Sequence, residues 1–188
     1  GGTVTTGDAA SLVQTKNGWT VAGMEADRAV VALGPWSPAL LSRFGYRVPM
    51  IPKRGYHLHF KGDHGLHRSM LLADASVVFS PMTKGLRLAT AAELTTTAPG
   101  NAPIQMSRGE AAARSLLDFG GAVENAAWSG TRPCLPGMLP LVREAPRHRG
   151  LWMNFGHGHQ GFTLGPVTAQ KIASAMEGDV SAIAGLDQ

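Results

Sequence analysis

The residues of this chain best suited to chemistry are glycines 156, 158, 161 and 165, with Gln160, Thr163 and His157 among them, and an arginine at 132. Glycines without a Cβ let backbone amides approach a ligand closely, and a helix start adds unpaired N–H groups with partial positive charge. Such a loop suits an electron-rich ligand edge, although the same glycines could serve tight turns alone. Arg132 precedes Pro133, at the end of a strand-like run and the start of a proline-rich turn reaching Pro140. A guanidinium held there offers a planar fork of donors that matches a carboxylate, as in an amino acid. An ion pair with Glu124 or Asp118 would fit the sequence equally well.

The elements that position these groups can be read on either side of them. Leu151 to Phe155 is a short apolar run that reads as a buried strand feeding the glycine loop, and a helical pattern opens near Pro166, with proline in the first turn. Upstream, Leu12–Thr15 and Trp19–Ala22 flank Asn17-Gly18, a strong hairpin signal. Asp27 to Leu33 predicts a strand buried on both faces, as in a parallel sheet, ending at Gly34-Pro35-Trp36. Ser37 is expected to cap a helix running to Phe44, with Gly45 as terminator. Lys53–Lys61, Val77–Pro81 and Leu86–Ala92 predict an antiparallel sheet with a turn at Thr83-Lys84-Gly85. Residues 95–103 read as a connecting loop, Ile104–Phe119 as a helix weakened by Gly109, and Glu124–Arg132 as a returning strand.

Composition narrows the class. The chain has 188 residues, 44% of them hydrophobic, enough for a sizeable core. No apolar run reaches the ~20 residues of a membrane-spanning helix. A net charge of +4 is scattered along the chain rather than gathered into a stripe, which argues against a nucleic-acid partner and suits an acidic small molecule. The single Cys134 points to a reducing compartment. His57 and His59 share one face of a strand, with His64 and His67 nearby, but their spacing matches no standard zinc pattern, so no metal is expected. His157 and His159 read as groups beside a substrate rather than metal ligands.

Three segments resemble a known family. Ala29-Val-Val-Ala-Leu-Gly-Pro-Trp-Ser-Pro-Ala-Leu-Leu41, Trp128-Ser-Gly-Thr-Arg-Pro-Cys-Leu-Pro-Gly-Met-Leu-Pro140 and Leu151 through Ala173 resemble the flavin-dependent D-amino-acid dehydrogenase/oxidase family, especially bacterial D-amino-acid dehydrogenases, including those acting on D-proline-like imino acids. The resemblance implies a mixed α/β (α+β) fold, an FAD-binding domain interwoven with a mixed or antiparallel-sheet substrate domain. The expected division is 1–46 in the FAD-binding domain, 47–127 in the substrate domain, and 128–188 returning to the first with a C-terminal helix. It also implies that Gly34 lies near the adenosine half of FAD and that Gly156, Gly158, Gln160, Gly161 and Thr163 lie near the isoalloxazine. Arg132 would grip the substrate carboxylate, with Tyr56 and His157 on the substrate side. The implied reaction is oxidation of a D-amino or imino acid by hydride transfer to flavin, with a quinone or other electron acceptor. The implied location is the cytoplasm, or the periphery of the inner membrane.

Two departures matter. The family's opening strand–Gly-x-Gly-x-x-Gly–helix unit is not in this sequence, and the start Gly-Gly-Thr-Val-Thr carries no Met. The expectation is therefore a C-terminal portion, the N-terminal Rossmann unit missing, that binds FAD poorly alone. Second, Gly137-Met138 stands where relatives commonly have Asp-Gly. The alternatives are a glycine- or sarcosine-oxidase-like enzyme and a non-catalytic carboxylate-binding subunit.

Overall fold

The structure, a computed structural model, describes residues 2–62, 64–94 and 104–186. The expected connecting loop at 95–103 lies outside the described residues. The chain divides into two compact units, Gly1–Ile51 with Arg132–Gln188, and Pro52–Thr131.

The first unit opens with β1 (Val13–Gln14), β2 (Trp19–Val21) and β3 (Met24–Ala26), an antiparallel meander. The Asn17-Gly18 hairpin forms as its turn chemistry dictates, pairing Gln14 with Trp19. β3 has no signature in the sequence because all three of its residues are exposed. β4 (Ala29–Val31) is shorter than expected and is not buried on both faces: Val30 is 46% exposed. Among the described residues it has one strand neighbour, β12, which leaves its other edge open. In α1 (Ser37–Ser42), Ser37 is the first helical residue and makes no capping bond; its Oγ is buried without a partner, and Trp36 occupies the cap position. Gly45, at φ 77°, ends the turn that follows, a backbone conformation a side chain would resist.

The second unit is an antiparallel sheet with one covering helix. Its strands are β5 (Ile51–Phe60), β6 (Met70–Leu72), β7 (Val77–Met82), β8 (Gly85–Thr90) and β9 (Glu93–Leu94). After α2 (Ile104–Arg114) comes β10 (Trp128–Cys134), giving the order β10-β5-β8-β7-β6, with β9 also on β5. Tyr56, Phe60, Val77, Phe79, Leu86, Leu88, Met106 and Ala113 form the core between sheet and helix. Gly109 weakens helix propensity, yet its place on α2 is a packing requirement: a Cβ there would lie 2.6 Å from Val77 Cγ1. α2 stops at Arg114, earlier than expected, and the Arg114 guanidinium donates to the Phe119 carbonyl at 3.0 Å, fastening the irregular segment that follows. The returning strand starts at Trp128 rather than Glu124, because Glu124 is turned toward His59.

The chain then re-enters the first unit through β11 (Leu141–Glu144), β12 (Leu151–Phe155) and α3 (Gly161–Met176). β12 is the central strand of the sheet β11-β12-β4, antiparallel to β11 and parallel to β4. Leu151, Met153 and Phe155 pack with Trp19, Val31, Leu40 and Leu41 on one face. Trp152 packs with Val142, Ile172 and Ala175 on the other, where α3 lies. α3 begins at Gly161, five residues before the expected start, so Pro166 sits inside the helix. Proline there removes one intrahelical bond, and the free amides lie at Gly161–Thr163, immediately after the glycine turn.

Candidate functional site

The site is built where two parallel strands end. Leu151, Trp152 and Met153 of β12 stand opposite Ala29, Val30 and Val31 of β4. Carboxyl ends of neighbouring parallel strands open onto one edge, where open α/β sheets collect ligands. Beyond β4 the chain turns through Gly34 at φ 55°, and beyond β12 through Gly156 at φ 90° and Gly158 at φ 56°.

The end of β10 lies against both turns. A Cβ on Gly34 would sit 3.9 Å from Pro133 Cγ, and Cys134 forms an antiparallel bridge with His157. Gly34, the Arg132–Cys134 strand end and the Gly156–Gly158 loop are therefore neighbours within one unit. The glycines are demanded by contact as well as by φ. A Cβ on Gly156 would lie 2.5 Å from Leu135 Cδ1, and one on Gly158 would lie 3.2 Å from Met138 Cε and 3.5 Å from Cys134 Sγ. Cys134 is buried and serves as a packing residue under the loop.

Arg132 is half-buried, and its Nη1 is buried without a hydrogen-bond partner. None of the ion pairs among the described residues includes it. Glu124, one of the two acids that could have neutralised it, instead accepts from His59, from the backbone N–H at 3.0 Å and at the ring Nδ1 at 2.8 Å. A buried guanidinium N–H without an acceptor is costly unless a ligand supplies one.

His157 is fixed rather than free. Its Nε2 lies 2.9 Å from Thr168 Oγ1, and that hydroxyl donates its one proton to the Gly165 carbonyl at 3.1 Å. The Thr168 hydroxyl thus sits between Nε2 and the Gly165 carbonyl and fixes the orientation of the ring. Burial lowers the pKa of His157 below its ordinary 6.5, which keeps the ring neutral near pH 7. Thr168, which sequence reasoning missed, ties the loop to α3, and its position on the helix gave no local signal. Thr163 Oγ1 reaches both the Gln160 carbonyl at 3.1 Å and its Oε1 at 2.9 Å, orienting the Gln160 side chain just before α3.

Tyr56 belongs to the other unit. It is 4% exposed, and its hydroxyl donates to Glu93 Oε2 at 2.6 Å while accepting from Arg54 Nη1 at 3.5 Å. His57 and His59 do share a face, their ring centroids 5.4 Å apart. No group of three His, Cys, Asp or Glu among the described residues is placed to hold a metal, and among them no helix is long and apolar enough to cross a membrane.

A mixed α/β chain whose parallel strands end in left-handed glycines beside an unpaired arginine has the outline of one lobe of a flavoenzyme. The family model "FAD dependent oxidoreductase" matches residues 1–175, so the chain belongs to that family of FAD-dependent oxidoreductases. It is 31% identical over 169 residues to a D-amino acid dehydrogenase of Cereibacter sphaeroides, covering 86% of this chain and 38% of the relative. It is 30% identical over 171 residues to a glycine oxidase of Pseudomonas putida, covering 88% and 45%. Among solved structures, glycine oxidase from Geobacillus kaustophilus superposes with a TM-score of 0.73 at 22% identity, covering 90% of this chain and 48% of that one. The chain thus spans less than half the length of these relatives.

Proposed function

We propose that the protein to which this chain contributes oxidises a D-amino or imino acid, such as a D-proline-like one, with FAD as cofactor. The observation that carries the reading is the buried, unpartnered Arg132 Nη1 on the strand whose last residue, Cys134, bridges His157 of the glycine loop. The residues present fit FAD: left-handed Gly34, Gly156 and Gly158 leave backbone open to approach, and the amides of Gly161 to Thr163 present partial positive charge. In this reading Gly34 borders the adenosine half, while Gly156, Gly158, Gln160, Gly161 and Thr163 border the isoalloxazine. FAD, when bound, would supply the redox chemistry as acceptor of the hydride from the substrate α-carbon. The chain's own part is orientation. Arg132 forks the carboxylate and thereby fixes the α-carbon, His157 stands beside it as a neutral ring held by Thr168, and the start of α3 favours negative charge. The imino product then hydrolyses to a 2-oxo acid.

The reading includes a completing segment. β4 leaves an open parallel edge with Val30 46% exposed, and α3 presents Phe162, Leu164 and Val167 at 98, 39 and 47% exposure. Parallel strands are ordinarily covered on both faces, so a strand–helix unit carrying the pyrophosphate-binding glycines fits there. FAD added to this chain alone should bind weakly. The full-length protein should purify yellow and turn over D-amino acids with a dye or quinone acceptor; a full-length protein that stays colourless after reconstitution would overturn the reading. The likeness to glycine oxidase supports a second reading, electron transfer to oxygen, and stoichiometric peroxide would select it.

A further inference from the structure

The amino ends of the parallel strands, opposite the glycine turns, border a cavity that the reading above does not use. Arg28 immediately precedes β4 and Arg149-Gly150 precedes β12, and the ladder sets Ala29 beside Leu151. The two arginines therefore come from neighbouring strand starts, where the Ala29 N–H donates to the Gly150 carbonyl at 2.8 Å. The hairpin turn between β1 and β2 adds Lys16. All three border one cavity of about 590 Å³, lined wholly by residues of the first unit. Clefts of this size take small molecules.

The walls are held in place. The Trp19 indole N–H donates to the Arg149 carbonyl at 3.2 Å, and the Thr15 N–H donates to the Gly18 carbonyl at 2.8 Å across the turn that carries Lys16. Gly18 and Gly150 line the cavity where backbone comes close, and a Cβ on either would run into the carbonyl oxygen of Ala26 or Asp27.

The lining is rich in donors. Among the described residues none of Lys16, Arg28 and Arg149 belongs to an ion pair. Trp152 also lines the cavity; it is 5% exposed, and its indole Nε1 is buried without a hydrogen-bond partner. A buried N–H without an acceptor is costly unless a ligand supplies one. The acids in the lining are Asp27 and Glu144. Glu144 stands opposite Trp152 on the β11–β12 ladder, yet it accepts from the Gly150 N–H at 2.7 Å and leaves the indole unmet. The last carbonyls of α3, which would repel an anion, are taken up by the turn after the helix: those of Ala173, Ser174 and Ala175 accept from the amides of Glu177, Gly178 and Asp179.

We propose that this cavity binds a hydroxyl-bearing phosphate ester, a sugar phosphate or a nucleotide. Its phosphate lies among Arg28, Arg149 and Lys16, one of its oxygens accepts from the Trp152 indole N–H, and its hydroxyls donate to Asp27 and Glu144. Guanidinium and ammonium groups are the natural partners of a phosphate. A bare anion would face both carboxylates without compensation, whereas hydroxyls turn them into acceptors. The assignment rests on the amino ends of the strands alone and stands whether or not FAD and Arg132 act at the other end.

The full-length, FAD-reconstituted protein, isotope-labelled at its tryptophan indoles and titrated with ribose phosphate under NMR, tests it. Signals lost in Trp152→Phe and Trp36→Phe assign two reporters, Trp36 lying in the turn that follows β4 at the cofactor end. Ribose and inorganic phosphate are the controls. The expected result is a saturable shift at Trp152 with ribose phosphate, none with ribose, and binding of inorganic phosphate at least about tenfold weaker. The exposed pair Arg28→Gln with Arg149→Gln should weaken ribose phosphate binding at least about tenfold. Adenosine monophosphate separates the two sources: tighter binding than ribose phosphate names a nucleotide, and equal or weaker binding names a sugar phosphate. No saturable shift at Trp152, a shift at Trp36 in its place, an equal response to ribose, inorganic phosphate binding as tightly as the ester, or a double variant that binds undiminished would each overturn the proposal. A protein that takes up no FAD leaves the Trp152 signal readable, so the two proposals fail separately.

Discussion

Replacing Gly156 by alanine tests how tightly the loop after β12 is specified. The backbone there has φ 90°, and the new methyl would lie 2.5 Å from Leu135 Cδ1 and 2.8 Å from its Cγ. Holding an L-residue in the left-handed region costs about 1–2 kcal/mol. Forcing a methyl into a packed contact adds about 1–3 kcal/mol, because Leu135 must leave its rotamer or the loop must shift. The two terms give about 2–5 kcal/mol in total. At about 2–4 °C per kcal/mol for a chain of this size, thermal unfolding should fall by roughly 4–20 °C. The assay is circular dichroism melting of the chain and of three variants: Gly156→Ala, Leu135→Ala and the double variant. In the Leu135→Ala background the steric term vanishes, so Gly156→Ala should cost only about 1–2 kcal/mol there. A single-variant loss below about 1 kcal/mol, or a loss undiminished when Leu135 is shortened, would refute the contact argument.

Three further outcomes follow from the same geometry. Met138 is held at φ 61°, next to Gly137 at φ 75°, so Met138→Gly should raise stability by about 0.5–1 kcal/mol in a denaturant titration. Because burial lowers the His157 pKa, its contribution to stability is whole above its ordinary 6.5 and is lost as the pH falls from there through the lowered folded-state value; His157→Gln should flatten the fall in melting temperature below pH 6.5. The His59 backbone N–H first, then its ring, hold the Glu124 carboxyl below its ordinary 4.5, so its contribution is present above that value and fades as the pH drops through the lowered one. Glu124→Gln should therefore remove part of the acid-side destabilisation below pH 4.5, measured as melting temperature against pH.

What the sequence disclosed was local chemistry. The Asn17-Gly18 hairpin, the buried run Leu151–Phe155 and the Gly45 stop depend on a few adjacent residues and form where turn and strand rules place them. Helix starts without a side-chain cap were harder: Gln160 makes no capping bond to α3, so the sequence pointed to Pro166, five residues too late. Ser37 failed as a cap for the converse reason, its hydroxyl being swallowed by packing. Long-range pairings left no local trace. The Cys134–His157 bridge, the His157–Thr168 bond and the capture of Glu124 by His59 join residues that only the fold brings together. For Arg132 the sequence left a carboxylate fork and an ion pair with Glu124 or Asp118 equally open, and only the fold shows Glu124 turned to His59 instead.

The central proposal is that Arg132 grips a substrate carboxylate near the Gly156–Gly158 loop. Steady-state kinetics of the full-length, FAD-reconstituted protein with a D-amino acid, comparing the parent with Arg132→Ala, tests it most directly. Removing a charge-assisted fork should cost on the order of 2–4 kcal/mol, so kcat/KM should fall by roughly 30- to 1000-fold, chiefly through KM, with FAD content unchanged. An Arg132→Ala protein that keeps the parent KM and kcat would contradict the account.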